Sequence, residues 1–197
     1  MTGKIRASLA GVAALALVLT AAPAQAAETS RSSGSIVDVL LAASGGGAPD
    51  RNAYDYDLLV QAVVATGLDS TLADPSGTFT VFAPNDRAFL RLVGDLTGTA
   101  PASEAAALTT LTTAFSTEQI TDILLYHVVA GKKLGPVKVI TSKSLTMANG
   151  GIVRPRGIFL RDETPTLRDP ALVLWRVNIK AGNGVIHTID RVLVPAM

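Results

Sequence analysis

His127 and His187 are the chain's two imidazoles, and Asp190 lies three residues beyond the second. Nucleophilic hydrolysis would need one ring to take a serine proton while a carboxylate such as Asp190 orients it. No serine has glycine two positions away on both sides, so the Gly-x-Ser-x-Gly elbow is absent. A metal centre on the same rings would need a carboxylate as third ligand, and no His-Glu-x-x-His spacing occurs. The absence of cysteine excludes thiolate ligands, thiol nucleophiles and disulfides. The favoured reading is two buried histidines, each satisfied by a hydrogen bond. No cofactor, no metal and no catalytic residue is expected.

Gly182-x-Gly184 resembles the start of a dinucleotide fingerprint, but the third glycine position holds His187 and the segment opens a strand. It reads instead as a turn at positive φ with Asn183-Gly184 at its centre. The formal charge of +1 argues against nucleic acid. That near-neutrality hides a division. Residues 27–126 carry twelve acids and four bases, whereas 127–197 carry four acids and eleven bases. Either the halves neutralise one another on packing, or a basic surface drawn from Lys132, Lys133, Lys138, Lys143, Arg154 and Arg156 meets an anionic polymer.

The first 26 residues read as a secretory signal. Lys4 and Arg6 precede the apolar run Leu9–Leu19, and Ala24-Gln25-Ala26 is a small-x-small site, so cleavage is expected after Ala26. The run is too short to span a bilayer, and no later segment could do so. Residues 27–35 are expected to be flexible, and 36–195 to form one domain, with 94–115 a candidate insertion. An extracellular location and a monomer follow as expectations.

Helical periodicity covers Ile36–Ala43 and Tyr54–Thr66, with Gly67 closing the second. Thr78–Phe82 alternates as a strand, and Pro84 ends it. Asn85 is placed to cap a helix through Phe89. A further helix is expected near 102–114, and Ser116–Gln119 is a capping box for the next. Strands are expected at Val137–Thr141, Ile152–Val153, Ile158–Leu160, Ala171–Ile179 and Val185–Val194. Helices dominate the first half and strands the second, which indicates an α+β fold. Apolar residues on both faces of the last strand mark it as central.

Three segments together resemble the fasciclin (FAS1) family. They are Thr80–Phe89 with Phe82, Pro84, Asn85 and Phe89; Leu124–Val129 with Tyr126-His127; and Gly182–Pro195 with Gly184, His187 and Asp190. The resemblance implies a compact β-sandwich or wedge flanked by helices. It also implies adhesion, or binding of a surface or matrix protein or polysaccharide, with no catalytic cycle. Tyr126 and His127 are the positions to which the family's partner contact would carry over; a folding role for both is the weightier reading. The residues leave open an extracellular small-molecule carrier with a groove between helices and sheet, and a hydrolase using His187 and Asp190.

Overall fold

The computed structural model describes residues 34–196. The signal reading of 1–26, the cleavage after Ala26 and most of the segment 27–35 lie outside the described residues. Of that segment, Ser35 caps the first helix in a reciprocal box with Asp38, and the Gly34 carbonyl accepts from Gly182 N.

Among the described residues, six helices and a single strand form the first part of the fold. They are α1 (Ile36–Ala43), α2 (Asp57–Ala65), α3 (Asp69–Ala73), α4 (Asp86–Thr97), α5 (Glu104–Ala114) and α6 (Thr117–Leu125), with β1 (Phe79–Pro84) between α3 and α4. Capping explains several starts. Asn85 Oδ1 accepts from Ala88 N to open α4, and Ser116 with Gln119 forms the expected box on α6. The stretch 94–115 supplies the end of α4 and the whole of α5. Then follow β2 (Val128–Ala130), α7 (Pro136–Thr141), β3 (Leu145–Thr146), β4 (Ile152–Arg156), β5 (Phe159–Arg161), β6 (Ile179–Ala181) and β7 (Gly184–Ile189).

Two sheets result. The first has strand order β2-β1-β7-β6, in which β1 and β7 are parallel and the outer strands antiparallel to them. The second is β3-β4-β5. Every residue of β7 is buried, as its two apolar faces required. One face of the first sheet, with Val81, Ala83 and Ile186, packs under α1, α2, α4, α5 and α6. The other, with Phe82 and Ile189, packs on Val153 and Leu160 of the second sheet and Val139 of α7. Phe82 and Phe89 both point inward, but into opposite cores. The architecture is the α+β arrangement of helices around packed sheets.

Three strand expectations are corrected. Val137–Thr141 is the helix α7: Gly135 caps it and Pro136 presets φ at its first turn, so position outweighs the β-branched composition. Ala171–Ile179 is not continuous. Ala171 and Leu172 make isolated bridges, Leu174–Arg176 forms a 3-10 turn, and Asn178 sits at φ 62 before β6 begins. The last strand stops at Ile189 and does not reach Val194. Beyond it Leu193 N donates to His127 Nε2 and Val194 N to Asp162 Oδ2, so side chains take the amides a ladder would use.

The glycine turn is also explained differently. Asn183 is not at positive φ. Its buried amide instead accepts from Ile36 N and donates to the Leu72 and Asp74 carbonyls, tying α1 and the end of α3 to the sheet. Gly184 is needed because a Cβ there would lie 2.7 Å from the Phe79 carbonyl oxygen and inside the Ile36 side chain.

Candidate functional site

Tyr126 caps α6 and is 0% exposed, and His127 beside it is 2% exposed. The Tyr126 hydroxyl donates to the Ile152 carbonyl at 3.0 Å. His127 Nε2 accepts from Leu193 N at 2.9 Å, so Nδ1 carries the proton and donates to the Ile123 carbonyl at 2.7 Å. Both rings are therefore buried and hydrogen-bonded within the fold. Burial also holds His127 neutral, with its pKa pushed down to about 4. The helix C-terminus does not keep it charged.

A pH dependence follows. The unfolded imidazole takes up a proton near 6.5, the folded one only near 4, so between these values the unfolded state binds more protons. This contribution to stability is complete above about 6.5 and is lost as pH falls toward 4; the shift corresponds to about 3 kcal/mol. Denaturant melts of wild type and His127→Gln at pH 7 and pH 4.5 should show the acid loss shrinking in the variant.

His187 is equally committed. Asn178 N donates to Nδ1 at 3.2 Å, which leaves Nε2–H to donate to the Leu134 carbonyl at 2.7 Å, and the ring stacks against Phe82. Asp190 faces elsewhere. Its Oδ2 takes Arg91 at 2.9 Å and its Oδ1 takes Ala171 N at 2.8 Å. His187 and Asp190 thus make no hydrogen bond to each other, and the dyad required by the hydrolase reading is not assembled.

Asp190 does help to build a cleft. It is about 650 Å³ in volume and is lined by Arg91 of α4, Arg156 of β4, Arg161 of β5, Arg168 and Arg191. The strand register explains part of this convergence. Val153 and Leu160 point into the core, so Arg154, Arg156, Phe159 and Arg161 share the outward face of the β4–β5 hairpin. Arg154 stands directly opposite Arg161, a like-charge pairing that a sheet does not favour on its own account. Asp190 engages Arg91 and Asp95 engages Arg191 at 2.7 Å. Among the described residues Arg156, Arg161 and Arg168 have no carboxylate within salt-bridge distance. Asp169 is the second acid in the lining, and Phe159, 51% exposed, adds an aromatic face.

Lys132, Lys133, Lys138, Lys143, Arg154 and Arg156 are all exposed, but of these only Arg156 lines the cleft. Lys133 turns instead to the Gly182 carbonyl. Arg91 was hidden from a reading by halves because it lies in the acidic one. The pairing of β4 with β5, which brings Arg161 beside Arg156, was the signal available.

A second cavity, about 320 Å³ and almost wholly apolar, lies among α2, α4, α5 and α6. Phe89, Leu108, Leu111 and Phe115 are among its lining residues. The groove expected between helices and sheet is in fact chiefly a space between helices.

Residues 55–195 match the fasciclin domain family. The chain belongs to that family. The fasciclin domain here is 33% identical over 141 residues to the uncharacterized protein sll1735 of Synechocystis sp. (strain ATCC 27184 / PCC 6803 / Kazusa), covering 71% of this chain and 89% of the relative. It is 28% identical to protein sll1483 of the same strain over 142 residues, 72% of this chain and 68% of that one. Its fold is similar to that of a FAS1 domain pair from the insect cell adhesion molecule fasciclin I, with a TM-score of 0.58 at 15% identity. That alignment covers 82% of this chain and 51% of the insect chain, so the fasciclin domain spans about half of the pair. In the fasciclin domain, then, Phe82, Pro84, Asn85, Phe89, Gly184 and His187 all sit in the folded interior, while Asp190 reaches the cleft. No described helix is long and apolar enough to cross a membrane.

Proposed function

We propose that this fasciclin domain is an extracellular interaction module that holds an anionic surface or matrix polysaccharide in its arginine-lined cleft. The observation that carries the reading is the convergence of five guanidinium groups, three without a carboxylate partner, on one concavity beside an exposed aromatic ring. Guanidinium forks match carboxylate and sulfate oxygens in paired hydrogen bonds, and Phe159 offers a face for a sugar ring. A cleft whose arginines outnumber its two acids also concentrates an oppositely charged chain near it. Signal removal after Ala26 would release a chain of net charge −1, so attraction is local to the cleft.

Replacing both Arg156 and Arg161 by alanine should weaken binding to an acidic polysaccharide by about tenfold or more, since each supplies charge-assisted hydrogen bonds. Both side chains are exposed, so the melting temperature should stay near that of wild type. Calorimetric titration with a polyuronate checks this, and equal affinities of variant and wild type would remove the cleft from the account.

The apolar cavity favours a second reading, a carrier for a small apolar molecule. Its volume falls at the lower end of the range that ligand pockets occupy. Organic extraction of the purified protein followed by mass spectrometry separates the two: a stoichiometric apolar ligand supports the carrier.

A further inference from the structure

Opposite in charge to the cleft is a group of carboxyls gathered at three helix starts. Asp57, Asp86 and Glu104 are the first residues of α2, α4 and α5, and Asp50 and Asp55 come from the loop leading into α2. We propose that these carboxylates form a binding site for one divalent cation, Ca²⁺ by its donor chemistry, with Asp50, Asp55 and Asp57 as the primary ligands and Asp86 and Glu104 closing the inner side.

Asp57 is 0% exposed, and among the described residues neither of its carboxylate oxygens has a hydrogen-bond partner; Asp55 is 4% exposed and its Oδ1 is likewise bare. Buried polar atoms are nearly always paired, and three orphaned carboxylate oxygens at one place call for a missing positive partner. One oxygen from each of Asp50, Asp55 and Asp57 lies within 4.8 Å of the others, and the same holds for Asp55, Asp86 and Glu104. Ligands on opposite sides of a Ca²⁺ ion stand about 4.6–5.2 Å apart, twice the ion–oxygen distance, so one ion can reach such a triad.

The other oxygens of the group are already fixed by the protein. Asp57 N and Leu58 N donate to the two oxygens of Asp86, Asp50 N donates to Glu104 Oε2, and Asn52 Nδ2 donates to Asp55 Oδ2. These bonds orient the carboxylates and leave Asp55 Oδ1 and both Asp57 oxygens without a partner among the described residues. Among the described residues no guanidinium forms a salt bridge with them. Arg87 lies over the Tyr54 ring and donates to its hydroxyl, and Arg176 lies over Tyr56. Burial, with neighbouring carboxyls adding to the effect, pushes Asp57 and Asp86 above the usual carboxylate range. A cation relieves the same crowding that a proton would. All-oxygen donors select a hard ion, and a set dominated by carboxylates, with Asp57 free to bind through both oxygens, suits the larger and more flexible Ca²⁺ sphere.

The test uses the purified protein stripped with chelator. Tb³⁺, a Ca²⁺ surrogate, should show luminescence sensitised by Tyr54 and Tyr56, and Ca²⁺ should displace it at about 0.1–1 mM, the range of extracellular Ca²⁺ modules. Saturating Ca²⁺ should raise the melting temperature by about 5 °C. Asp57→Asn should abolish both responses, and Asp50→Asn, at the exposed edge, should weaken them without endangering the fold. Absence of sensitised emission, or equal Ca²⁺ shifts in wild type and Asp57→Asn, would overturn the site. So would a wild-type stability that falls from pH 4 to pH 8 and is not restored by Ca²⁺, which would assign the group to shared protons.

Discussion

Replacing His127 by alanine should cost about 3–5 kcal/mol, since it leaves a ring-sized cavity and strips two buried backbone groups of their partners. The lost contacts are those from Nδ1 to the Ile123 carbonyl and from Leu193 N to Nε2. One ring thereby joins the end of α6 to the chain after β7. The residue is almost wholly enclosed. A chain of this size should lose about 10 °C of melting temperature for such a change. Tyr126→Phe is the matched control, removing a single bond to the Ile152 carbonyl for about 1 kcal/mol. If His127→Ala melts like wild type but no longer binds its polymer, the pair is a contact site after all.

Gly184→Ala should be comparably damaging, at about 3 kcal/mol, the upper part of the range for overpacking. The added methyl would lie 2.7 Å from the Phe79 carbonyl oxygen, and it meets the Ile36 side chain as well. A side chain could turn aside, but the carbonyl belongs to β1, where Phe79 is the register partner of Gly184. Relief therefore requires β1 and β7 to separate at the start of the parallel pair around which both cores are built. The neighbouring Asn183 would be displaced with them, loosening its bonds to Ile36, Leu72 and Asp74. Urea unfolding at neutral pH measures the loss, and a cost below about 0.5 kcal/mol, the size of an ordinary surface change, would contradict this packing.

What could be read from residues alone depended on whether the cause was local. Asn85, Ser116 and Gln119 announce helix starts through bonds to amides a few positions away, and those helices begin where expected. The alternation in β1 and the two apolar faces of β7 are equally local statements about burial. The chain at Val137–Thr141 misleads because its β-branched composition says strand while Gly135-Pro136 starts a helix. The run Ala171–Ile179 misleads because its register is broken by Asn178 and by a turn that leaves Trp175 83% exposed. Trp175 is also an accessible aromatic that a count of aromatic residues could not reveal.

The candidate site was less legible than the fold. Tyr126 and His127 were recognisable as a pair, but their enclosure depends on strands and termini many positions away. The cleft collects Arg91, Arg156, Arg161, Arg168 and Arg191 from four separate parts of the chain, so no spacing rule could have grouped them. The carboxyl group at Asp50, Asp55, Asp57, Asp86 and Glu104 was foreshadowed only by the acid excess of the first half. Its dense part, Asp50 to Asp57, holds three acids in eight residues, and the tertiary fold adds the other two.

The cleft assignment is tested most directly by mapping amide chemical shifts while an acidic oligosaccharide is added to the isotopically labelled protein. The account predicts shifts centred on Arg91, Arg156, Phe159, Arg161 and Arg168, diminishing as salt screens the attraction, with Ile123 and His127 unmoved. Shifts centred instead on Leu108, Leu111 and Phe115 around the apolar cavity, or none at all at low salt, would contradict it.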